Sequence, residues 1–151
     1  MTSKTPQRIL VAVDDSPAAL AAVQVAVGIA TRTGARVRFV NVVSDGLLVT
    51  GLSTLDRAGA LDERRGASAA SLLHHVRARA ESAGVQAETV RLEGDPAPNL
   101  LAQARGWHAD LVVVGRSDVR GSGRPYVGTV TRHVLEFSEC PVLVVPRPSA
   151  G

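Results

Sequence analysis

The sequence predicts one α/β domain: a single open sheet of five parallel strands, doubly wound, with helices on both faces. Three observations lead there. Five short runs rich in Val, Ile and Leu lie at 8–13, 36–43, 85–92, 111–114 and 142–145. Four segments of helical apolar spacing separate them, and strands joined by helical crossovers lie parallel in one sheet. At 151 residues the chain has the length of about one domain and buries roughly two thirds of its unfolded surface on folding. No repeat, linker or low-complexity segment interrupts the order, so one domain is expected over 1–151, its core at about 8–146.

The first run, RILVAV, is short, apolar and β-branched, as a buried strand is. Asp14-Asp15-Ser16-Pro17 follows, with Ser16 suited to cap a helix and Pro17 to its first position. Apolar spacing continues to about Thr33, and Gly34 is a natural stop. RVRFVNVV makes the second strand, and residues 44 to about 55 form a Gly/Ser/Thr loop. From about Arg57 to Ala83 the pattern is helical, with Leu61, Leu72, Leu73, Val76 and Ala80 broadly on one face before Gly84. VQAETVRL alternates, as a strand near an edge does. Gly94-Asp95-Pro96 opens a short helix to about Trp107, and LVVV after Asp110 is apolar on both faces, as a central strand is. A Gly/Arg/Ser loop then leads to a helix from Gly128-Thr129 to about Ser138, and Pro141 opens the last strand, VLVV.

Composition narrows the function classes. Hydrophobic residues at 45% and charged residues at 21% exclude a disordered tail, and aromatics at 3% leave the core to aliphatic side chains. Cys140 is the single cysteine, which excludes an internal disulfide and a cysteine-based zinc cluster. ILVAV is cut by Asp14-Asp15, too short for a secretory signal or a membrane span. A cytoplasmic location without membrane attachment is therefore the default expectation. The formal net charge is +3, and the segment from Gly115 to Arg132 holds that whole excess in Arg116, Arg120, Arg124 and Arg132 against Asp118. The positive charge marks a site rather than a coat, which argues against general nucleic-acid binding.

In a doubly wound sheet, ligands bind outside the carboxyl ends of the strands. Asp14-Asp15, Val42-Val43 and the loop after the fourth strand lie there. The last, GRSDVRGSGRPYVGT, is the richest. Its glycines let backbone amides approach an anion, its arginines supply positive charge, and a helix begins at Thr129. A solvated Gly-rich surface loop is the alternative that composition leaves open.

The same loop resembles the motif of the universal stress protein family, Gly-x2-Gly-x9-Gly-[Ser/Thr], from Gly115 to Gly128-Thr129. ILVAVDDSPAAL resembles that family's first strand and helix start, with Asp14 at its acidic position. GDPAPNL resembles the segment before its third helix, and CPVLVV its terminal strand. The resemblance covers about 8–146. It implies a Rossmann-like sheet of order 3-2-1-4-5 and a homodimer, often paired through the last strand, here 142–145. A VLVV edge left unpaired gives such pairing a physical motive. In the ATP-binding members adenine lies near the ends of the first two strands, which carries over to Asp14 and Val42. The phosphates carry over to Gly115, Gly128, Thr129 and the amide of Val130, with Arg116 beside them. The chain departs from the motif at its second glycine, which is Asp118. Asp tolerates left-handed backbone, but a like charge ~4 Å from a phosphate costs on the order of 1–4 kcal/mol. Nearby arginines offset that charge, or Asp118 helps hold a magnesium ion on the phosphates; AMP or cyclic AMP would suffer less than ATP.

Dedicated catalysis finds no support. There is no GxxxxGK[ST], and Lys4 is the single lysine. HxGH and SGGxDS are absent. His74 and His75 are adjacent on a helix and point ~100° apart, so they do not share a metal as an i, i+4 pair would. His133 reads as solvated, Cys140 as a small packed hydrophobe, Asp15 as helix-start electrostatics, and Trp107 and Tyr126 as packing residues. No metal ligands are assigned, and slow ATP hydrolysis is the one activity left open. Two readings remain. One is an adenine-nucleotide-binding regulator of the stress response, taking ATP, AMP or cyclic AMP and ordering residues 115–130 and the loop 44–56 on binding. The other is a dimeric interaction module of the same family that binds no nucleotide, with Asp118 marking the loss.

Overall fold

The first strand, β1 (Arg8–Ala12), is anchored at its entry by a residue far along the chain. The Asp110 carboxylate accepts the amide hydrogens of Gln7 at 3.0 Å and of Arg8 at 3.1 Å. This computed structural model describes residues 5–43, 55–116, 119–120, 124–125 and 128–148, with 55–66, 119–120 and 124–125 described by backbone alone.

Helix α1 (Pro17–Thr33) begins as its sequence predicts. The Ser16 hydroxyl accepts the Ala19 amide at 3.1 Å, satisfying a donor that has no intrahelical partner. Gly34, at φ 74°, ends the helix in left-handed backbone, where its own amide donates to Ala30. Strand β2 (Arg36–Val43), helix α2 (Leu55–Ser82), strand β3 (Ala87–Glu93), helix α3 (Pro96–Trp107) and strand β4 (Leu111–Gly115) follow in the expected order. Helix α3 ends on His108, at φ 59°, a side-chain-bearing residue in the conformation Gly34 adopts.

The segment after β4 departs from expectation. Read as a loop, it contains a small antiparallel pair, β5 (Val119–Arg120) and β6 (Arg124–Pro125), whose register sets Arg120 opposite Arg124. Two-residue strands are too short for period-two alternation to show. Helix α4 (Thr129–Phe137) and strand β7 (Val142–Val145) complete the fold. Strand β1 ends at Ala12, one residue before the expected end, and β3 starts at Ala87 rather than Val85.

The main sheet has the order β3-β2-β1-β4-β7 with every neighbour pair parallel. Counted along that sheet alone, this is 3-2-1-4-5, as expected. Its alternating side chains build two cores. One face packs Ile9, Val11, Val37 and Phe39 under α1 and α2, through Ala22, Val23, Ala26, Leu73, Val76 and Ala80. The other packs Leu10, Val40, Val112 and Val114 under α3 and α4, through Leu100, Ala104 and Val134. Small residues along α1 allow close helix–sheet packing without aromatic bulk; Phe39 is the largest fully buried side chain among the described residues. Leu72, Leu73, Val76 and Ala80 face this core as their spacing predicts, while Leu61 lies outside the residues described by side chain. Trp107 packs at the edge of the second core with the Arg38 guanidinium 4.6 Å from its ring centroid, a packing role as expected.

Candidate functional site

The carboxyl ends of β1, β2 and β4 open into a cavity of about 640 Å³, within the range of small-molecule sites, ~300–1,000 Å³. Parallel strands each feeding a helix bring several helix starts to this one edge. The first turns of α1, α3 and α4 all line the cavity, through Ser16, Pro96 and Thr129 respectively.

Those three helix starts differ in chemistry. At α1, Pro17 has no amide hydrogen and Ser16 has already capped Ala19. At α3, Pro96 and Pro98 both lack the donor, and Asn99 donates its amide to Asp95. At α4 the cap is Gly128, which has no side chain to offer, and the first helical bond runs from Arg132 to Gly128. The amides of Thr129, Val130 and Thr131 thus find no acceptor among the described residues. With the helix dipole behind them they form the anion-favouring end of the cavity. Gly128 itself stands at φ 91°, ψ 153°, a region open essentially to glycine alone. The cavity is also lined by the apolar side chains of Val40, Val42, Pro96, Leu100 and Val114.

Of the residues the sequence singled out, Asp14, Val42, Gly115, Arg116, Thr129 and Val130 meet on this one cavity, although as many as 116 positions separate them in the chain. Gly128 stands beside it as the cap of α4. Asp118 lies outside the described residues, as do the loop 44–54 and Tyr126. Asp14 is exposed, and one of its carboxylate oxygens accepts the Ser16 amide at 2.8 Å. Arg116 is half-buried, and its amide donates to Val145 at 2.7 Å, which extends the β4–β7 ladder to the cavity rim.

Gly115 has a reason for being glycine that the sequence did not reveal. A β-carbon there would fall 2.7 Å from the carbonyl carbon of Ala18 and 2.8 Å from the nitrogen of Ala19. The residue lets the first turn of α1 sit directly against the end of β4. The apolar lining residues Val40, Pro96, Leu100 and Val114 were also missed, because they look like ordinary core in the sequence. Thr131 was missed too: it is 5% exposed and donates its hydroxyl to the Gly115 carbonyl at 3.0 Å. Its position three residues after Gly128 was the available signal.

Other candidates stand apart from the cavity. His133 is exposed on α4, with Nδ1 3.0 Å from the Thr129 carbonyl and its ring stacked on Phe137. Cys140 is half-buried at the second core, beside the Ser138 hydroxyl. Among the described residues, no three His, Cys, Asp or Glu side chains converge to hold a metal ion, and no helix is long and apolar enough to cross a membrane.

Comparison with known proteins gives a consistent result. A model of the universal stress protein family matches residues 5–146. Universal stress protein YxiE of Bacillus subtilis is 30% identical over 144 residues, covering 91% of this chain and 97% of its own. Among solved structures, universal stress protein UspA from Lactobacillus plantarum superposes with a TM-score of 0.83 at 26% identity, covering 95% of this chain and 99% of its own. A universal stress protein solved in complex with cAMP superposes with a TM-score of 0.69 at 25% identity, covering 96% of this chain and all of its own.

Proposed function

The chain belongs to the universal stress protein family, and we propose that it is a regulatory protein of the stress response that binds an adenine nucleotide in the cavity at the carboxyl edge of its sheet. The observation that carries this is the cavity's mixed lining, which joins an uncapped helix start to apolar side chains. In this reading the base lies against Val40, Val42 and Leu100 near Asp14. The phosphates lie along Gly115, Arg116, Gly128, Thr129 and Val130. The residues fit that group, because a nucleotide needs an apolar face for its base and backbone donors for its phosphates. Arg116, which lines the cavity, brings positive charge to it. The cAMP complex of a relative supports the ligand class.

We read the chain as one cytoplasmic domain acting as a homodimer, with no catalytic reaction and no nucleic-acid partner. Strand β7 is the outer strand of the sheet next to β4, and Leu143 on it is 37% exposed. Pairing of Val142–Val145 with the same strand of a second copy would satisfy that edge.

Asp118 favours a second reading, in which the cavity takes no nucleotide and the dimer surface performs the function. The two separate by calorimetric titration with AMP and with ATP, with and without magnesium. Micromolar binding of either ligand is the expected result. Asp118→Gly is expected to tighten magnesium-free ATP by about fivefold, the equivalent of ~1 kcal/mol for one like charge in a solvated site. No heat, together with no displacement of a fluorescent adenine nucleotide, sinks the nucleotide reading and leaves the interaction module.

A further inference from the structure

We propose that the Thr131 hydroxyl has a positioning role: by bonding to Gly115 it sets the spacing of the phosphate cradle; this rests on the nucleotide reading above. Thr131 and Asn41 are the two buried polar residues among those described. A buried hydroxyl is costly unless it is bonded, and valine would fill the same space with no such cost. The Thr131 hydroxyl does not turn back to its own helix. It donates across to the carbonyl of Gly115, at the end of β4.

That bond joins the two ends of the Gly-rich segment. Gly115 opens it and the first turn of α4 closes it, and residues 116–128 run between. Gly115 is braced from its other side, because the backbone of Ala18 and Ala19 leaves no room even for a β-carbon. The Gly115 strand end is therefore a fixed post, and Thr131 ties the open amides of Thr129 and Val130 to it at one distance. The packing of Val134 and Val130 into the second core holds α4 in the fold, but apolar contact fixes a helix's position along its axis less sharply than a directed hydrogen bond does. Removing the hydroxyl should leave the fold intact and let the cradle widen.

The test compares the parent protein, Thr131→Val and Thr131→Ser by calorimetric titration with AMP, and follows the thermal midpoint of each. The expected result is a loss of AMP affinity of about tenfold or more in Thr131→Val, the effect of weakening one hydrogen bond to a charged group. Thr131→Ser, which keeps the hydroxyl, should return affinity to within about threefold of the parent, because a shortened side chain still spans one hydrogen bond. The melting point of Thr131→Val should stay within about 3 °C of the parent, the shift that ~1 kcal/mol gives in a domain of this size. A purely structural role would lower the melting point of Thr131→Val and leave its AMP affinity unchanged; that pattern overturns the proposal. AMP binding by Thr131→Val within about twofold of the parent, less than 0.5 kcal/mol, overturns it as well. Should Thr131→Val not fold, Thr131→Ala takes its place against Thr131→Ser under the same criteria. A parent protein that binds no adenine nucleotide overturns the nucleotide reading and this proposal together, whereas a binding parent with an equally binding Thr131→Val overturns this proposal alone.

Discussion

Gly115 and Ala18 stand so close that a β-carbon on the first would fall 2.7 Å from the carbonyl carbon of the second. Their residues lie at the ends of different elements, β4 and the first turn of α1, and nothing local in either segment brings them together. The contact packs the end of β4 directly against the first turn of α1 where it meets the cavity. This glycine answers to helix–strand packing.

Gly115→Ala should therefore destabilise the fold whether or not nucleotide is present. The clash is with backbone, which cannot rotate away, so the expected cost is about 1–3 kcal/mol, as for overpacked interiors. Urea unfolding of the nucleotide-free protein checks it. An unchanged midpoint would show that α1 can shift outward at little cost, and the close approach would lose its significance.

Ser16→Ala should cost about 1 kcal/mol, because the Ala19 amide loses the hydroxyl that caps it. In a chain of this size that corresponds to a melting point lower by about 2–4 °C. Differential scanning calorimetry reads the shift directly. Equal melting points would mean that water, or the neighbouring Asp14 carboxylate, takes over the cap. Ser16→Asp, which retains an acceptor, should recover most of the loss.

Leu143→Arg addresses the edge of the sheet. Leu143 is partly exposed on β7 and is not among the buried core residues, so the substitution should leave the fold of the single chain intact. A charge on a pairing edge opposes strand addition. Sedimentation equilibrium should give about twice the chain mass of 15.7 kDa for the parent and the chain mass for the variant. A parent that sediments as a single chain contradicts pairing through 142–145, and a variant that remains dimeric moves the interface elsewhere.

The sequence by itself determined what depends on near neighbours. Ser16-Pro17 announced the start of α1, Gly34 its end, and the β-branched runs their strands, because caps and alternating periodicity act over a few residues. Asp14, Val42 and Gly128-Thr129 were legible as candidate site residues through family resemblance and through the rule that ligands sit where strands end. The hairpin Val119–Arg120 with Arg124–Pro125 was not legible, since two residues a side leave no period to read. Tertiary structure alone decided which atoms meet across the chain: Asp110 holding the amides of Gln7 and Arg8, Thr131 reaching Gly115, and Val40, Pro96 and Leu100 lining one cavity. Each of these pairings is fixed by strand register and by how closely two backbones can pack. Such contacts link residues up to 103 positions apart, and a local pattern carries no information about a partner at that distance.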